Sequence, residues 1–510
     1  MRRTTLTRIL AGAAAIGALA AGVAASGDND RQGHRRAKNV ILFIGDGMGV
    51  STVTATRVYS VGVAGNLVVD QFPYTALSRT FSADSITPDS APTMTAMMTG
   101  QNTNAGVIGL DDTTEYADFN GDGDGARVTT LLERAKGRGM KVGVISTARI
   151  THATPAATYA HINDRNDENA IALQSLPGDA TYNTALGDGV DLLFGGGRQY
   201  FVPSGTTDEE GGGGSRTDGR DLRAEYQGAG YSYVWNTAGF NALTQQSLPV
   251  LGLFERGHME YEFDRATDAG GEPSITDMTL KAIDLLSQGH RRGGKRNGGY
   301  FLMVESGRID HAHHDGNALR ALHDTQEFDR AIGAAIRAVD LRDTLIIVSA
   351  DHSHVFNIAG YPLRPLSEMP YPISACSPGS PYATALAGNG ILDLVYDVNG
   401  NCVEPSTDAS GVPYTALVYG NGPGYRGTAG RVDPTTDPFV GLPGSTNLPG
   451  PDPDGFAHPN YRQEAAVPLG SETHSAEEVA IYAIGPGADM VRGTVKNTFI
   501  YRVMARALGF

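Results

Sequence analysis

Four short runs of apolar residues recur along the chain, and each ends in polar punctuation. Val40-Ile41-Leu42-Phe43-Ile44 leads into Gly45-Asp46-Gly47, and Lys141-Val142-Gly143-Val144-Ile145 leads into Ser146-Thr147. Tyr300-Phe301-Leu302-Met303-Val304 leads into Glu305-Ser306-Gly307, and Thr344-Leu345-Ile346-Ile347-Val348 into Ser349-Ala350-Asp351-His352. Continuous hydrophobicity, without alternation, predicts strands covered on both faces, as in a parallel sheet. Helical spacing appears between them. Val128, Leu131, Leu132 and Ala135 share one face before Gly137 and Gly139, and Leu322, Phe328, Ile332, Ile336 and Val339 form a longer, looser stripe. The alternation of strand and helix predicts an α/β fold: a three-layer sandwich with a central, largely parallel β-sheet flanked by helices.

The pattern changes between residues 358 and 469. Gly, Pro, Asn and Asp dominate, with short apolar pieces such as Ile391-Leu392-Asp393-Leu394-Val395-Tyr396 ahead of Asn399-Gly400-Asn401. An Asn-Gly pair after such a piece predicts a hairpin. Residues 358–469 therefore read as an inserted, β-rich, loop-heavy subdomain, with the core formed by 38–357 and 470–510. A disordered linker is the alternative, and two cysteines and several tyrosines weigh against it.

Composition narrows the function classes. The chain has 510 residues and a formal net charge of -16, so a broad basic face for nucleic acid or an anionic membrane is not expected. An acidic protein can still bind phosphate if positive charge is concentrated locally, and bound metal ions do this. Arg2, Arg3 and Arg8 precede an Ala/Gly/Ile/Leu run and the small residues Val23-Ala24-Ala25-Ser26, which predicts an export signal over residues 1–25. The paired arginines hint at a twin-arginine route. No other segment reaches the ~18–20 continuous apolar residues of a membrane helix, and no hydrophobic tail precedes Phe510, so no membrane anchor is expected. Export makes a Cys376–Cys402 disulfide the expected state of the two cysteines.

Candidate chemistry gathers where strands end, the place where open α/β sheets bind ligands. Asp46, Glu305, Asp310, Asp351 and His352 all lie at or just beyond such ends. One Asp after a strand is commonly a turn residue, but crowded carboxylates repel, and cations relieve that repulsion. In Glu305-Ser306-Gly307-Arg308-Ile309-Asp310-His311-Ala312-His313-His314, a helix starting near Asp310 puts Asp310 and His314 on one face, a spacing suited to one zinc. His311 and His313 then point elsewhere. Ser90, in Pro88-Asp89-Ser90-Ala91-Pro92-Thr93, sits at the N-terminus of a short helix, with proline in its first turn. A serine there reads equally as an N-cap or as a nucleophile beside a phosphate-binding helix end. Asp118-Phe119-Asn120-Gly121-Asp122-Gly123-Asp124 resembles the front of a calcium loop, but Thr129 stands where a bidentate Glu belongs, so a surface turn is expected.

Taken in order, IGDGMG with Asp46, PDSAPT with Ser90, VESGRIDHAHH, SADHSHV and ETHSAEEV resemble the signature segments of the alkaline phosphatase family. FGGGRQYF, YVWN, GLFERGHMEYE, YGNGPGY and YRQEAAVPL look like its animal branch, whose crown domain the insert would match; the likeness runs from about Lys38 to Phe510. The resemblance implies two zinc ions and one magnesium. By it, Asp310, His314 and His474 hold the first zinc, and Asp46, Asp351 and His352 the second, with Ser90 as its reactive ligand, the nucleophile that becomes phosphoserine. Asp46 also reaches magnesium with Thr154 and Glu305, Arg165 clamps phosphate oxygens, and His152 and His311 stand in the surrounding shell, His152 reaching magnesium through water. Small phosphomonoesters are the implied substrates, and a homodimer, periplasmic or extracellular, the implied form. The sulfatase relatives need an arginine that Ser90-Ala91-Pro92-Thr93-Met94 lacks, and the diesterases generally lack the Asp46, Thr154 and Glu305 set.

Overall fold

The computed structural model describes residues 36–118, 125–287, 298–364, 374–375, 390–399, 402–409, 411–425 and 458–510. The predicted export segment and most of the calcium-loop-like run lie outside them. Ten strands form one sheet. They are β1 Asn39–Gly45, β2 Tyr74–Arg79, β3 Lys141–Arg149, β4 Leu192–Gly196, β5 Ser232–Val234, β6 Val250–Leu253, β7 Tyr300–Ser306, β8 Thr344–Ser349, and, after an intervening β-rich stretch, Val479–Ile484 and Thr494–Lys496. In that stretch lie β9 Ser353–His354, β10 Phe356–Ile358, β11 Ser374–Ala375, β12 Tyr396–Asn399, β13 Cys402–Pro405, β14 Leu417–Gly422, β15 Glu464–Pro468 and β16 His474–Ser475, making the last two sheet strands β17 and β18.

The sheet order is β18-β2-β17-β8-β1-β7-β3-β4-β6-β5. β1 runs parallel to both β7 and β8, and β3 parallel to β7 and β4. Only β17 runs against its neighbours, β8 and β2. All seven residues of β1 and of β7, and all six of β8, are buried, as unbroken apolar runs require in a sheet covered on both sides. One cover includes the helix Ser90–Thr99 and the C-terminal helix Phe499–Leu508; the other includes Ile275–Ser287 and Ala318–Ala338. The predicted stripe of Leu322, Phe328, Ile332 and Ile336 is buried in Ala318–Ala338.

Between residues 356 and 468 the described segments form two three-stranded sheets, β10-β14-β15 and β11-β13-β12. Asn399 pairs with Cys402 in an antiparallel register, the hairpin that Asn-Gly predicts. Ser374 pairs with Cys402 and Ala375 with Val403. Cys402 is disulfide-bonded, and Cys376 lies outside the described residues. Among the described residues no helix is long and apolar enough to cross a membrane.

Candidate active site

Parallel pairing of the neighbouring strands β8, β1, β7 and β3 puts their carboxyl ends on one rim. Asp46 follows β1, Glu305 closes β7, Asp351 and His352 follow β8, and the turn after β3 leads to His152 and Thr154. His474 arrives on β16, held beside the rim by pairing with His354 of β9. Asp46, Glu305, Asp351 and His352 are completely shielded from solvent, and Asp310 is 4 % exposed.

The first group centres on Asp310. The helix Arg308–His314 presents Asp310 and His314 one turn apart, with His314 Nε2 3.4 Å from Asp310 Oδ1. His474 Nε2 lies 3.3 Å from the same oxygen and 3.1 Å from His314 Nε2. The outward nitrogens are spoken for: His314 Nδ1 donates to the Glu472 carbonyl at 2.6 Å, and His474 Nδ1 to the Pro88 carbonyl at 2.8 Å. With Nδ1 donating outward in both rings, each turns its Nε2 toward Asp310, the nitrogen left for a metal. His354, which sequence reasoning missed, stands behind them, bonded to Asp310 Oδ1 at 2.8 Å and to Glu472 Oε2 at 2.5 Å. Burial opposes its charge, but the two carboxylates outweigh burial and raise its pKa to about 10. Burial likewise raises Asp310, and the surrounding histidines, His314 foremost, overcome that and hold it well below the usual range.

The second group surrounds Ser90. The expected N-cap role falls to Asp89, whose carboxylate accepts from Ala91 N at 2.9 Å, and this frees the Ser90 hydroxyl. Ser90 Oγ lies 3.1 Å from His352 Nε2 and 3.4 Å from Asp46 Oδ1. His352 Nε2 is 3.4 Å from Asp46 and 3.3 Å from Asp351 Oδ2, while Asp351 Oδ1 accepts from the backbone N–H groups of Gly47 and His352. The His352 ring stacks on His474 with centroids 3.6 Å apart, so the two groups are contiguous. Gly47 makes this approach possible: it has φ +66°, and a β-carbon there would penetrate His354 Nε2. Gly47→Ala should cost on the order of 1–3 kcal/mol in backbone strain and push His354 off Asp310. The expected outcome is a lower melting temperature together with loss of metal on dialysis, measured by calorimetry and elemental analysis.

The third group is Asp46, His152 and Glu305, whose ligand atoms lie within 4.8 Å of one another. Thr154 Oγ1 reaches Asp46 Oδ2 at 3.3 Å, and Ser146, also missed from sequence, donates to Glu305. Arg165 points at the same place. One of its amino groups donates to Asp89 Oδ1 at 2.6 Å and the other to His152 Nε2 at 3.1 Å. His311 faces His152 with centroids 5.6 Å apart and packs on His258 at 4.0 Å. Arg308 donates to His311 Nδ1 at 3.1 Å; an arginine has no acceptor, so His311 carries its proton on Nε2. His313 turns away, bonded to Thr52 and Tyr419, as helical spacing predicts.

The donors fit cations. Glu305 Oε1 and Asp351 Oδ2 are sealed from water with no hydrogen-bond partner, a costly state for carboxylates unless something positive faces them. Burial first, and then Asp351, Asp310 and Glu305, push Asp46 well above the usual carboxylate range; burial pushes Glu305 up to about 7. Burial holds His152, His311 and His352 neutral, well below the usual imidazole range. A separate acidic group, Glu210, Glu255 and Asp268, also has its carboxylate atoms within 4.8 Å of one another.

The family model for alkaline phosphatase matches residues 37–510. The chain belongs to the alkaline phosphatase family. It is 38 % identical over 494 residues to the tissue-nonspecific alkaline phosphatase of Gallus gallus, covering 92 % of this chain and 84 % of that one. It is 37 % identical over 495 residues to the Homo sapiens isozyme, covering 92 % and 83 %. Among solved structures, the alkaline phosphatase of Thermus thermophilus superposes with a TM-score of 0.62 at 26 % identity over 93 % of this chain and 92 % of that one. A cold-active alkaline phosphatase from a psychrophilic Shewanella gives 0.59 at 25 % identity over 92 % and 99 %. Membership in this family makes the chain a phosphoric monoester hydrolase, and the buried carboxylate–histidine rim carries donor groups that could hold metal ions.

Proposed function

We propose that the protein hydrolyses phosphate monoesters in two displacements through a phosphoserine at Ser90, using two zinc ions and one magnesium. One observation carries this reading: the Ser90 hydroxyl sits inside a buried, metal-competent cluster, 3.1 Å from His352 and 3.4 Å from Asp46. Asp310, His314 and His474 would hold the first zinc, Asp46, Asp351 and His352 the second, and Asp46, Thr154 and Glu305 the magnesium, with His152 in reach of it. When bound, these metals supply Lewis-acid charge that eases hydroxyl ionisation and stabilises phosphoryl oxygens.

The chain's own groups supply the rest. Asp89 caps the helix, so Ser90 is held at its N-terminal end with the hydroxyl turned into the cluster. Ser90 Oγ attacks phosphorus in line, its bond to phosphorus forms as the ester oxygen leaves, and the alcohol departs with a proton. Water then attacks the phosphoserine from the vacated side, restoring Ser90 and releasing inorganic phosphate with net retention at phosphorus. Arg165 offers two N–H groups of a planar fork to two phosphate oxygens, and His311 Nε2–H offers a further donor. No step requires contact with the leaving group, so the substrate class is broad: small phosphomonoesters.

The test is chemical capture of the intermediate. Acid quenching during turnover of a monoester, followed by peptide mass spectrometry, should find phosphate on Ser90 in the peptide containing Pro88-Asp89-Ser90-Ala91. Turnover with Ser90 unmodified, or phosphate on another residue, would overturn the assignment. Family membership also supports an export signal over 1–25, a crown-like insert over 358–469 and a homodimer, the last checked by light scattering.

A further inference from the structure

Arg165 is carried by a short loop, and the structure shows what holds that loop. Tyr116 reaches it from a separate segment: its hydroxyl donates to Asp164 Oδ1 at 3.1 Å and accepts from Asn166 Nδ2 at 2.7 Å. These are the two residues on either side of Arg165. Asp164 Oδ1 also accepts from Asn166 N at 2.8 Å, so one tyrosine oxygen and one carboxylate oxygen close a ring across the base of the arginine. The backbone is tied as well. Ala117 N donates to the Asn163 carbonyl at 3.0 Å, and Arg165 N donates to the Gly106 carbonyl at 2.9 Å.

Two further features show that this contact is built for. Gly106 has φ +75°, and a β-carbon there would penetrate the Tyr116 ring, so the tyrosine lies directly on the backbone that receives Arg165 N. Gly106 N in turn donates to Asp89 Oδ2 at 2.8 Å, and Asp89 Oδ1 holds the Arg165 guanidinium. Ala117, next to Tyr116, has φ +54° and is the one non-glycine residue with positive φ among the described residues. A left-handed alanine is held only where its surroundings fix it.

We infer that Tyr116 is a positioning residue for the phosphate-binding arginine, locking the Asp164-Arg165-Asn166 loop so that the guanidinium fork is preset for two phosphate oxygens. This rests on Arg165 being the phosphate clamp, as proposed above. A loop free to drift makes the anion carry the ordering cost on binding, which weakens phosphate affinity before it affects the chemical step. Burial and the Asp164 carboxylate raise the Tyr116 hydroxyl above its ordinary range, so it keeps its proton, and its bond to Asp164, at alkaline pH.

The test is a double-mutant cycle on the metal-loaded enzyme, with inhibition by inorganic phosphate and the separate KM and kcat for p-nitrophenyl phosphate as readouts. Tyr116→Phe keeps the ring on Gly106 and removes only the hydroxyl. It should raise the phosphate inhibition constant and KM by about 3- to 10-fold, the range of one or two solvent-exposed hydrogen bonds, with kcat changed less than twofold and the melting temperature unmoved. In the Arg165→Ala background the same change should have no further effect. Equal effects in both backgrounds, or an unchanged phosphate constant in Tyr116→Phe, would overturn the inference. If Arg165→Ala alone leaves phosphate affinity intact, the clamp assignment itself fails, and that result is read from the single variant without reference to Tyr116.

Discussion

Ser90→Ala should lower turnover of p-nitrophenyl phosphate by at least about a thousandfold, a loss of roughly 4 kcal/mol of transition-state stabilisation. Ser90 is 2 % exposed, and its hydroxyl forms no part of the helix cap, which is made by Asp89. Its removal therefore deletes one oxygen from a cavity bounded by Asp46 and His352 and leaves the surrounding bonds in place. Zinc content and melting temperature should stay near wild type, because the carboxylate, histidine and threonine ligands proposed for the metals are all retained. The residual rate would come from water acting in the same charged site, a common remainder when a nucleophile is removed. A variant that retained a tenth of wild-type turnover at full metal content would show that the covalent route is not the main one.

Metal removal should produce the second large effect, and it should grow with pH. Asp46, Glu305, Asp310 and Asp351 share one buried rim. Without cations, burial and mutual repulsion raise Asp46 and Asp351, and burial pushes Glu305 up to about 7. Their counterparts in the unfolded chain release protons near ~4. Between those limits these carboxylates hold, in the native metal-free protein, protons that the unfolded chain has released, so their contribution to its stability is lost as pH rises from about 4 through about 7 and beyond. Bound cations favour the ionised carboxylates and remove that dependence. Calorimetry from pH 5 to pH 8.5, with and without chelator, should show the gap in melting temperature widening toward alkaline pH and closing on zinc and magnesium readdition. A chelated protein that melts at the same temperature as the loaded one at pH 8.5 would contradict the assignment of these carboxylates as ligands.

The middle of the sheet was legible because its strands are buried on both faces, and unbroken apolar runs have no other common explanation. The periphery was not. Tyr74–Arg79 alternates between exposed and buried positions, and Ser232–Val234 is three residues long; neither stands out from a loop. Strand direction was invisible as well, because the apolar run Val479–Ile484 reads the same whether it lies parallel or, as here, antiparallel. In the site, position along the chain was enough to raise Asp46, Glu305, Asp310, Asp351 and His352, each at a strand end. It could not separate His354 from any other loop histidine. Its role comes from Glu472, 118 positions away, a neighbour that only folding supplies. Asp89 carried no signal of its own in the sequence, yet it caps the Ser90–Thr99 helix and accepts from the Arg165 guanidinium.

The order of strands also bears on how the chain is made. β1 is the first of the described strands to be synthesised, yet its two neighbours are β7 and β8, and Val40 pairs with Phe301 and Leu345. A nascent chain therefore carries the wholly apolar segment Val40–Ile44 through the synthesis of about half the polypeptide before either partner exists. Parallel pairing at such separation is slow, and an unpaired apolar strand is a template for association with other chains. During biogenesis this segment is where a holding chaperone has the most to do, and where overproduction at high rate should first show as insoluble protein.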